Sequence, residues 1–248
     1  MISFAYHKQF DEAFDTGERS FEQTYLLYAS TGTFHLDVDD RSWLLPPHRA
    51  ALIQAGIPIR IWTNAASTSA SVLFAPDRIA IPTLYCQVFR VTPLITEMTR
   101  YATRWNESQA ELDNHSQSFF TALGHVVSDA SNRVEDLWFP RSRTTDLSRA
   151  VQFTLSNLGG TLNFSDVARA AFVSERTLSR RFTEEFKMGW SEFVQRARVI
   201  AATERLVMSE EKIVQIAHET GFSSASSFGQ TFRQMMGETP SQYRKRLK

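Results

Sequence analysis

Residues 164–186 read FSDVARAAFVSERTLSRRFTEEF, and residues 213–236 read IVQIAHETGFSSASSFGQTFRQMM. The two stretches describe one device. In the first, Val167, Ala168 and Ala171 give a short helix a small apolar face, and 172–174 leave room only for a tight turn. On the helix that follows, Leu178, Phe182 and Phe186 stand four apart and form a buried stripe. At about 100° per residue, Arg176, Arg180, Thr183 and Lys187 fall roughly opposite Leu178, toward solvent. Small residues on the first helix let the pair pack closely across the turn, the arrangement of a helix-turn-helix. In the second stretch Ile213, Ile216 and Ala217 pack the first helix and Gly221-Phe222 make the turn. Phe228 and Phe232 again stand four apart, with Ser226, Gln230 and Arg233 outward.

Between the two copies runs 190–208, apolar along one side at Trp190, Phe193, Val194, Ala197, Ile200 and Ala201. A helix of that length spans roughly 28 Å. Successive major-groove faces on one side of B-DNA lie about 34 Å apart, so a rigid connector of this size can serve two adjacent grooves. Helices are expected at 146–157, 164–171, 175–186, 190–208, 212–219, 225–236 and 240–246. Gly159-Gly160, Gly189, Gly221 and Gly237 fall at their ends, where a left-handed residue is wanted. Ser165 and Ser174 are placed as N-terminal caps, Pro240 begins the last helix and Tyr243 anchors it.

Working toward the amino terminus, the pattern changes. The stretch 131–145 mixes Asn, Arg, Ser, Thr and Pro140 without period and reads as a linker between domains 1–130 and 146–248. Ahead of it, Leu94, Ile95, Met98, Tyr101, Ala102 and Trp105 make one helical stripe, and Phe119, Leu123, Val126, Val127 and Ala130 another. Such stripes either pack on the preceding sheet or meet their copy on a second chain. The first 92 residues read as strands: Phe34, Leu36 and Val38 alternate with His35, Asp37 and Asp39. Others are expected at 24–29, 43–45, 50–54, 57–63, 71–75 and 84–91. Thr31-Gly32, Pro46-Pro47, Ala55-Gly56 and the polar tract 65–70 separate them, a spacing that suits a sandwich or barrel of the jelly-roll sort. The fold class is therefore α+β in two domains.

The 248 residues carry no net charge, but the halves differ. Residues 1–140 hold 10 Lys and Arg against 16 Asp and Glu, whereas 141–248 hold 17 against 11. The basic half is the one suited to an anionic partner. The acidic start MISFAYHKQFDEAFDTGERS lacks the features of a signal peptide, and no stretch approaches 18 consecutive apolar residues. A soluble cytoplasmic protein with no membrane partner is expected.

The segment SERTLSRRF, the long helix, and IAHETGFSSASSFGQTFRQMMGETPSQYR together resemble the DNA-binding domain of AraC/XylS-type transcription regulators, over about residues 145–246. The resemblance implies a seven-helix domain with two helix-turn-helix units, a bacterial chromosome as its target, and activation by contact with RNA polymerase. It assigns base contacts to Arg176, Ser179 and Arg180 on the first recognition helix and to Ser226, Ser227 and Gln230 on the second. Thr183, Lys187, Arg233, Arg244 and Lys245 are assigned to phosphates, which fix register without reading sequence. Many relatives carry arginine where this chain has Gln230, and a larger residue where it has Gly229. The second unit is thus expected to position more than it reads.

The front half is similar to the cupin-like sensor domain found ahead of this DNA-binding domain, on SWLLPPHRAALIQAGIPIRIWT. Metal-binding cupins need an H-x-H pair and further ligands. Here His35 and His48 fall on separate strands, and Ile59 stands where relatives place a histidine, so neither metal nor cofactor is expected. The barrel either holds a small-molecule effector or is filled and leaves a constitutive regulator. Tyr25, Tyr28, Trp43 and Trp62 suit either a pocket lining or a core. In the family the helices after the barrel form a homodimer contact, which favours that role for 94–130. An enzyme fits poorly: Cys86 stands alone, short of the thiolates a zinc-dependent repair methyltransferase requires, and no G-x-S-x-G, P-loop or H-E-x-x-H occurs. A nonspecific DNA binder with an enzymatic cupin domain is the remaining alternative.

Overall fold

The computed structural model describes residues 2–47, 49–63, 65–76, 78–80, 84–107, 114–133 and 137–247. Packing divides the chain into two compact units, 1–138 and 139–248.

The first unit is built of strands β1 (Phe4–Phe10), β2 (Phe14–Arg19), β3 (Thr24–Thr31), β4 (Phe34–Val38), β5 (Arg41–Leu45), β6 (Arg49–Ile53), β7 (Ile59–Thr63), β8 (Ser67–Phe74) and β9 (Cys86–Arg90). Helices α1 (Pro93–Ala102) and α2 (Asn114–Ser131) follow, and the three-residue β10 (Trp138–Pro140) marks the unit boundary. One sheet orders β1-β8-β3-β6-β9 and the other β10-β5-β4-β7-β2. Pairs β1·β8, β3·β8, β3·β6, β6·β9, β4·β5, β4·β7 and β2·β7 are antiparallel.

Three layers result. Tyr25, Leu27, Ile53 and Val88 of the first sheet meet Leu36, Trp43, Leu45 and Ile61 of the second. The opposite face of the first sheet, with Leu26, Leu52, Val72 and Phe89, packs on Ile95 of α1 and on Phe120, Leu123 and Val127 of α2. Covered on both sides, β3 and β6 are buried almost throughout and carry near-continuous apolar sequence, TYLLYAST and RAALI. The polar tract at 65–70, expected as a separator, is instead the first half of β8 from Ser67 onward. Its hydroxyls are satisfied in place: Ser67 bonds Thr63 Oγ1 at 3.0 Å, and Ser69 donates to the Lys8 carbonyl at 3.5 Å. Small hydroxyl side chains thus fit a strand sandwiched between β1 and β3. Gly32, at φ +71°, closes the preceding turn so tightly that a Cβ would lie 2.3 Å from Ser67 Oγ.

Most of the helical stripes are spent inside the chain. Ile95, Ala102, Leu123 and Val127 are fully buried against the first sheet, and in α2 the buried phenylalanine is Phe120, not Phe119. Leu94 and Tyr101 of α1 remain exposed.

The second unit holds α3 (Thr145–Ser156), α4 (Phe164–Ala170), α5 (Glu175–Phe186), α6 (Trp190–Met208), α7 (Ile213–Glu219), α8 (Ala225–Met236) and α9 (Pro240–Leu247). Each matches an expected helix to within a residue. Phe139, from the expected linker stretch, is buried and packs on Phe193 with ring centroids 5.9 Å apart. No described helix is long and apolar enough to cross a membrane.

Candidate nucleic-acid interface

The two recognition-type helices are built alike. Ser174 Oγ accepts the backbone N–H of Thr177 at 3.2 Å at the start of α5, and Ser224 Oγ accepts that of Ser227 at 3.1 Å at the start of α8. Each serine satisfies an N–H that the helix itself cannot pair. The turn before each uses the same bonds. Val173 N–H reaches the Ala168 carbonyl at 3.1 Å, and Phe222 N–H reaches that of Ala217 at 2.9 Å, with Phe172 and Gly221 at positive φ between. This is the six-to-one closure of a helix ending in a left-handed residue.

The core beneath α5 is aromatic: Phe182 packs on Phe186 and Phe193 at 5.3 and 5.7 Å between centroids. Beneath α8, Phe228 and Phe232 pack with Phe222 and Tyr243. Helix α6 serves both cores, giving Phe193 to the first and Val199, Ala202 and Leu206 to the second. Arg198, midway along it, donates to the Leu158 carbonyl at 3.3 Å and lies against Gly221, where a Cβ would sit 2.1 Å from the same carbonyl. The loop before α4 and the turn before α8 are therefore locked to one side chain.

Opposite these stripes lie the residues singled out from sequence. Arg176, Ser179, Arg180 and Thr183 are exposed on α5, and Lys187 just beyond it is exposed at φ +56°. Arg180 pairs with Glu184 at 3.8 Å, and Thr183 Oγ1 donates to the Ser179 carbonyl at 3.2 Å. Ser226, Ser227, Gln230 and Arg233 are exposed on α8, as is Lys245 on α9. Arg244 is placed differently: its Nε donates to the Leu206 carbonyl at 3.1 Å, and its Nη2 is buried. It ties α9 to the end of α6, because a guanidinium pointed inward finds the last-turn carbonyls that a helix leaves open.

Sequence reasoning gave no partner to three further residues here. Arg181 of α5 is ion-paired with Asp146 of α3. Glu185 accepts Thr144 Oγ1 at 2.7 Å and the Arg143 backbone N–H at 3.0 Å. Phe172 is 80% exposed, with the Arg149 guanidinium 5.2 Å from its ring centroid. Arg181 and Glu185 were hidden because helical phase puts them beside the apolar stripe, where the partner is set by tertiary packing.

In the first unit a cavity of about 740 Å³ opens between the sheets, lined by residues of β1, β2, β3, β4, β7 and β8. Of the aromatics weighed from sequence, Tyr25 lines it. Tyr28 faces α1, its hydroxyl 3.5 Å from Thr96 Oγ1, and Trp43 sits in the inter-sheet core. Trp62 stacks on His35, centroids 3.5 Å apart and planes 6° apart, and burial lowers the His35 pKa to about 4. Burial raises Cys86 to about 12, which leaves it a thiol. His48 lies outside the described residues, and among the described residues no group of three or more His, Cys, Asp or Glu could hold a metal ion.

Residues 167–246 match the family described as a helix-turn-helix domain. An uncharacterised HTH-type transcriptional regulator of Staphylococcus aureus (strain MSSA476) is 39% identical over 83 residues, covering 34% of this chain and 11% of the relative. The regulatory protein PocR of Salmonella typhimurium is 31% identical over 108 residues, 44% of this chain and 36% of PocR. A crystal structure of an AraC-type DNA-binding domain-containing regulator from Chromobacterium violaceum aligns at 31% identity and TM-score 0.40, over 41% of this chain and 90% of that one. This chain therefore spans about a tenth of the staphylococcal relative and about a third of PocR. Through its second unit the chain belongs to the AraC/XylS-type family of helix-turn-helix transcription regulators.

Proposed function

We propose that this chain is a sequence-specific promoter-binding regulator, an activator that engages RNA polymerase beside its site and answers to a small molecule in a cupin-like first unit. The observation that carries the DNA-reading part is the pairing of α5 and α8. Each is capped by serine, buried along one stripe and exposed along the other, and both are held by the two ends of α6. Arg176, Ser179 and Arg180 are assigned to base edges in one major groove. Ser226, Ser227 and Gln230 are assigned to the next. Arginine gives guanine a bidentate pair of bonds, worth about 1–3 kcal/mol of discrimination, whereas serine is permissive and glutamine suits adenine. Thr183, Lys187, Arg233 and Lys245 are assigned to phosphates, and Arg244 to holding α9 on α6.

A homodimer through α1 and α2 is part of the proposal. With the inward stripe buried, the contact falls on the outward side at Leu94 and Tyr101. The regulator acts in the cytoplasm, on the nucleoid.

A genomic-fragment binding selection with the full chain, at two salt concentrations and with Arg180→Ala, tests this. Recovery of a short motif that loses discrimination at one base position in the variant is expected. Motif-free binding, unmoved by the substitution, overturns the reading.

A further inference from the structure

The two helix-turn-helix devices share more than α6. Their principal helix packings stay separate: α3, α4 and α5 pack on one another, α8 packs on α7 and α9, and α6 touches α3 in the first group and α7, α8 and α9 in the second. One helix alone is a compliant joint. Thr203, in the second half of α6, donates back to the Ile200 carbonyl at 2.7 Å, a local bond of the kind that weakens helices slightly and bends them. A second connection lies beside it. The loop 157–163 between α3 and α4 meets the turn between α7 and α8, and both close on Arg198. Arg198 Nε donates to the Leu158 carbonyl at 3.3 Å and its Nη2 to that of Gly160 at 3.5 Å. A Cβ on Gly221 would fall 2.7 and 2.8 Å from those two nitrogens, and one on Gly159 would fall 2.6 Å from the Glu219 carbonyl. Two glycines therefore permit the approach from opposite sides. Arg205, about two turns further along α6, donates to Glu219 Oε2 at 2.8 Å and holds the end of α7 that the loop touches. Loop, turn and connector form a triangle, which resists twist where a single helix does not.

We propose that Arg198 is a positioning residue that sets which spacing of DNA subsites the chain accepts. By clamping the 157–163 loop onto the second turn, it holds α8 at one distance and rotation from α5. The assignment rests on the two-groove reading above and adds spacing to what that pair of helices discriminates. Linking two reading heads makes the second contact intramolecular, at an effective concentration that collapses when the geometry does not match. A braced pair is strict about that geometry, and a loose pair forgives it. One extra base pair between the subsites turns the second by about 34° and moves it by about 3.4 Å.

The test uses the full chain as wild type, Arg198→Gln and Gly159→Ala, the last an exposed change that alters no charge and leaves the core untouched. Three duplexes built on the motif recovered from genomic fragments are titrated by fluorescence anisotropy. They are the intact motif, the motif with its second subsite scrambled, and the motif with one base pair inserted between subsites. Wild type is expected to lose about tenfold or more on the insertion. In both variants that penalty is expected to shrink to about threefold or less, while affinity for the scrambled duplex stays within about twofold of wild type. A loss of stability alone would weaken all three duplexes alike, and a lost phosphate contact would do so with a lower salt slope. Either of those patterns, a wild type indifferent to the insertion, or a variant that keeps the wild-type penalty overturns the proposal. A motif bound with its spacing penalty intact in the variants rejects the brace alone, whereas motif-free binding by wild type rejects the regulator reading and the brace with it.

Discussion

Phe172 holds φ +59° at the position that Gly221 fills in the second copy. A side chain in the left-handed region crowds its own carbonyl, at a cost of about 1–2 kcal/mol, and an exposed ring recovers little of it by packing. Phe172→Gly is accordingly expected to stabilise the second unit by about 1 kcal/mol, less whatever the Arg149 stacking returns, read as a higher denaturation midpoint at unchanged slope. His35 makes a pH-dependent counterpart. Its folded pKa is lowered to about 4 by burial against Trp62, whereas an unfolded histidine titrates near 6.5. The unfolded chain thus binds the proton first. Stability is full above about pH 6.5 and falls steadily until about pH 4, below which this residue takes no more. His35→Gln should flatten that fall in urea titrations across the window.

Among the elements, α8 is the one whose composition conflicts with its structure. Gly229 sits on the same face as Ser226, Gln230 and Arg233, and a Cβ there would meet nothing within 4 Å. Glycine inside a helix costs about 0.5–1 kcal/mol against alanine, and no packing inside the chain demands it here. Gly229→Ala should therefore raise stability by about that amount while weakening DNA binding, because it removes a site of close backbone approach. Equal affinity would assign the glycine no part in the interface. The seven helices of the second unit were legible from sequence chiefly by their apolar period, with Ser174 capping α5 and Gly237 ending α8 as expected; Ser165 instead lies inside α4, whose N-cap is Asn163, and the left-handed residue after α5 is Lys187, with Gly189 starting α6 at φ −83°. The exposed face of α5 was legible for the same reason. The strands were less so: β3 and β6 lose their alternation through burial on both faces, and β8 begins in Ser, Thr and Ala that mimic a loop. The cavity was not legible at all. Its walls come from six strands, and which faces meet is decided by register, not by any local pattern.

At the scale of the whole molecule, charge is sorted by unit, with 17 basic against 11 acidic residues in 141–248 and the reverse bias before it. Binding to DNA should therefore weaken steeply with salt, as phosphate neutralisation releases counterions. Lys187→Gln and Arg233→Gln should each lower the slope of log K against log salt by about 1, uniformly across sequences, in titrations at several ionic strengths. Sequence preference should survive both. The connector α6 carries a consequence of another kind. Because one helix supplies both cores, it works as a shaft that sets the phase of α8 against α5. Inserting a single residue in its middle would turn the second helix-turn-helix, α7 and α8, by about 100° and advance it by about 1.5 Å. Such a variant could keep both halves folded and still lose simultaneous engagement, since the second reading head would then face away from the groove that the first one had aligned.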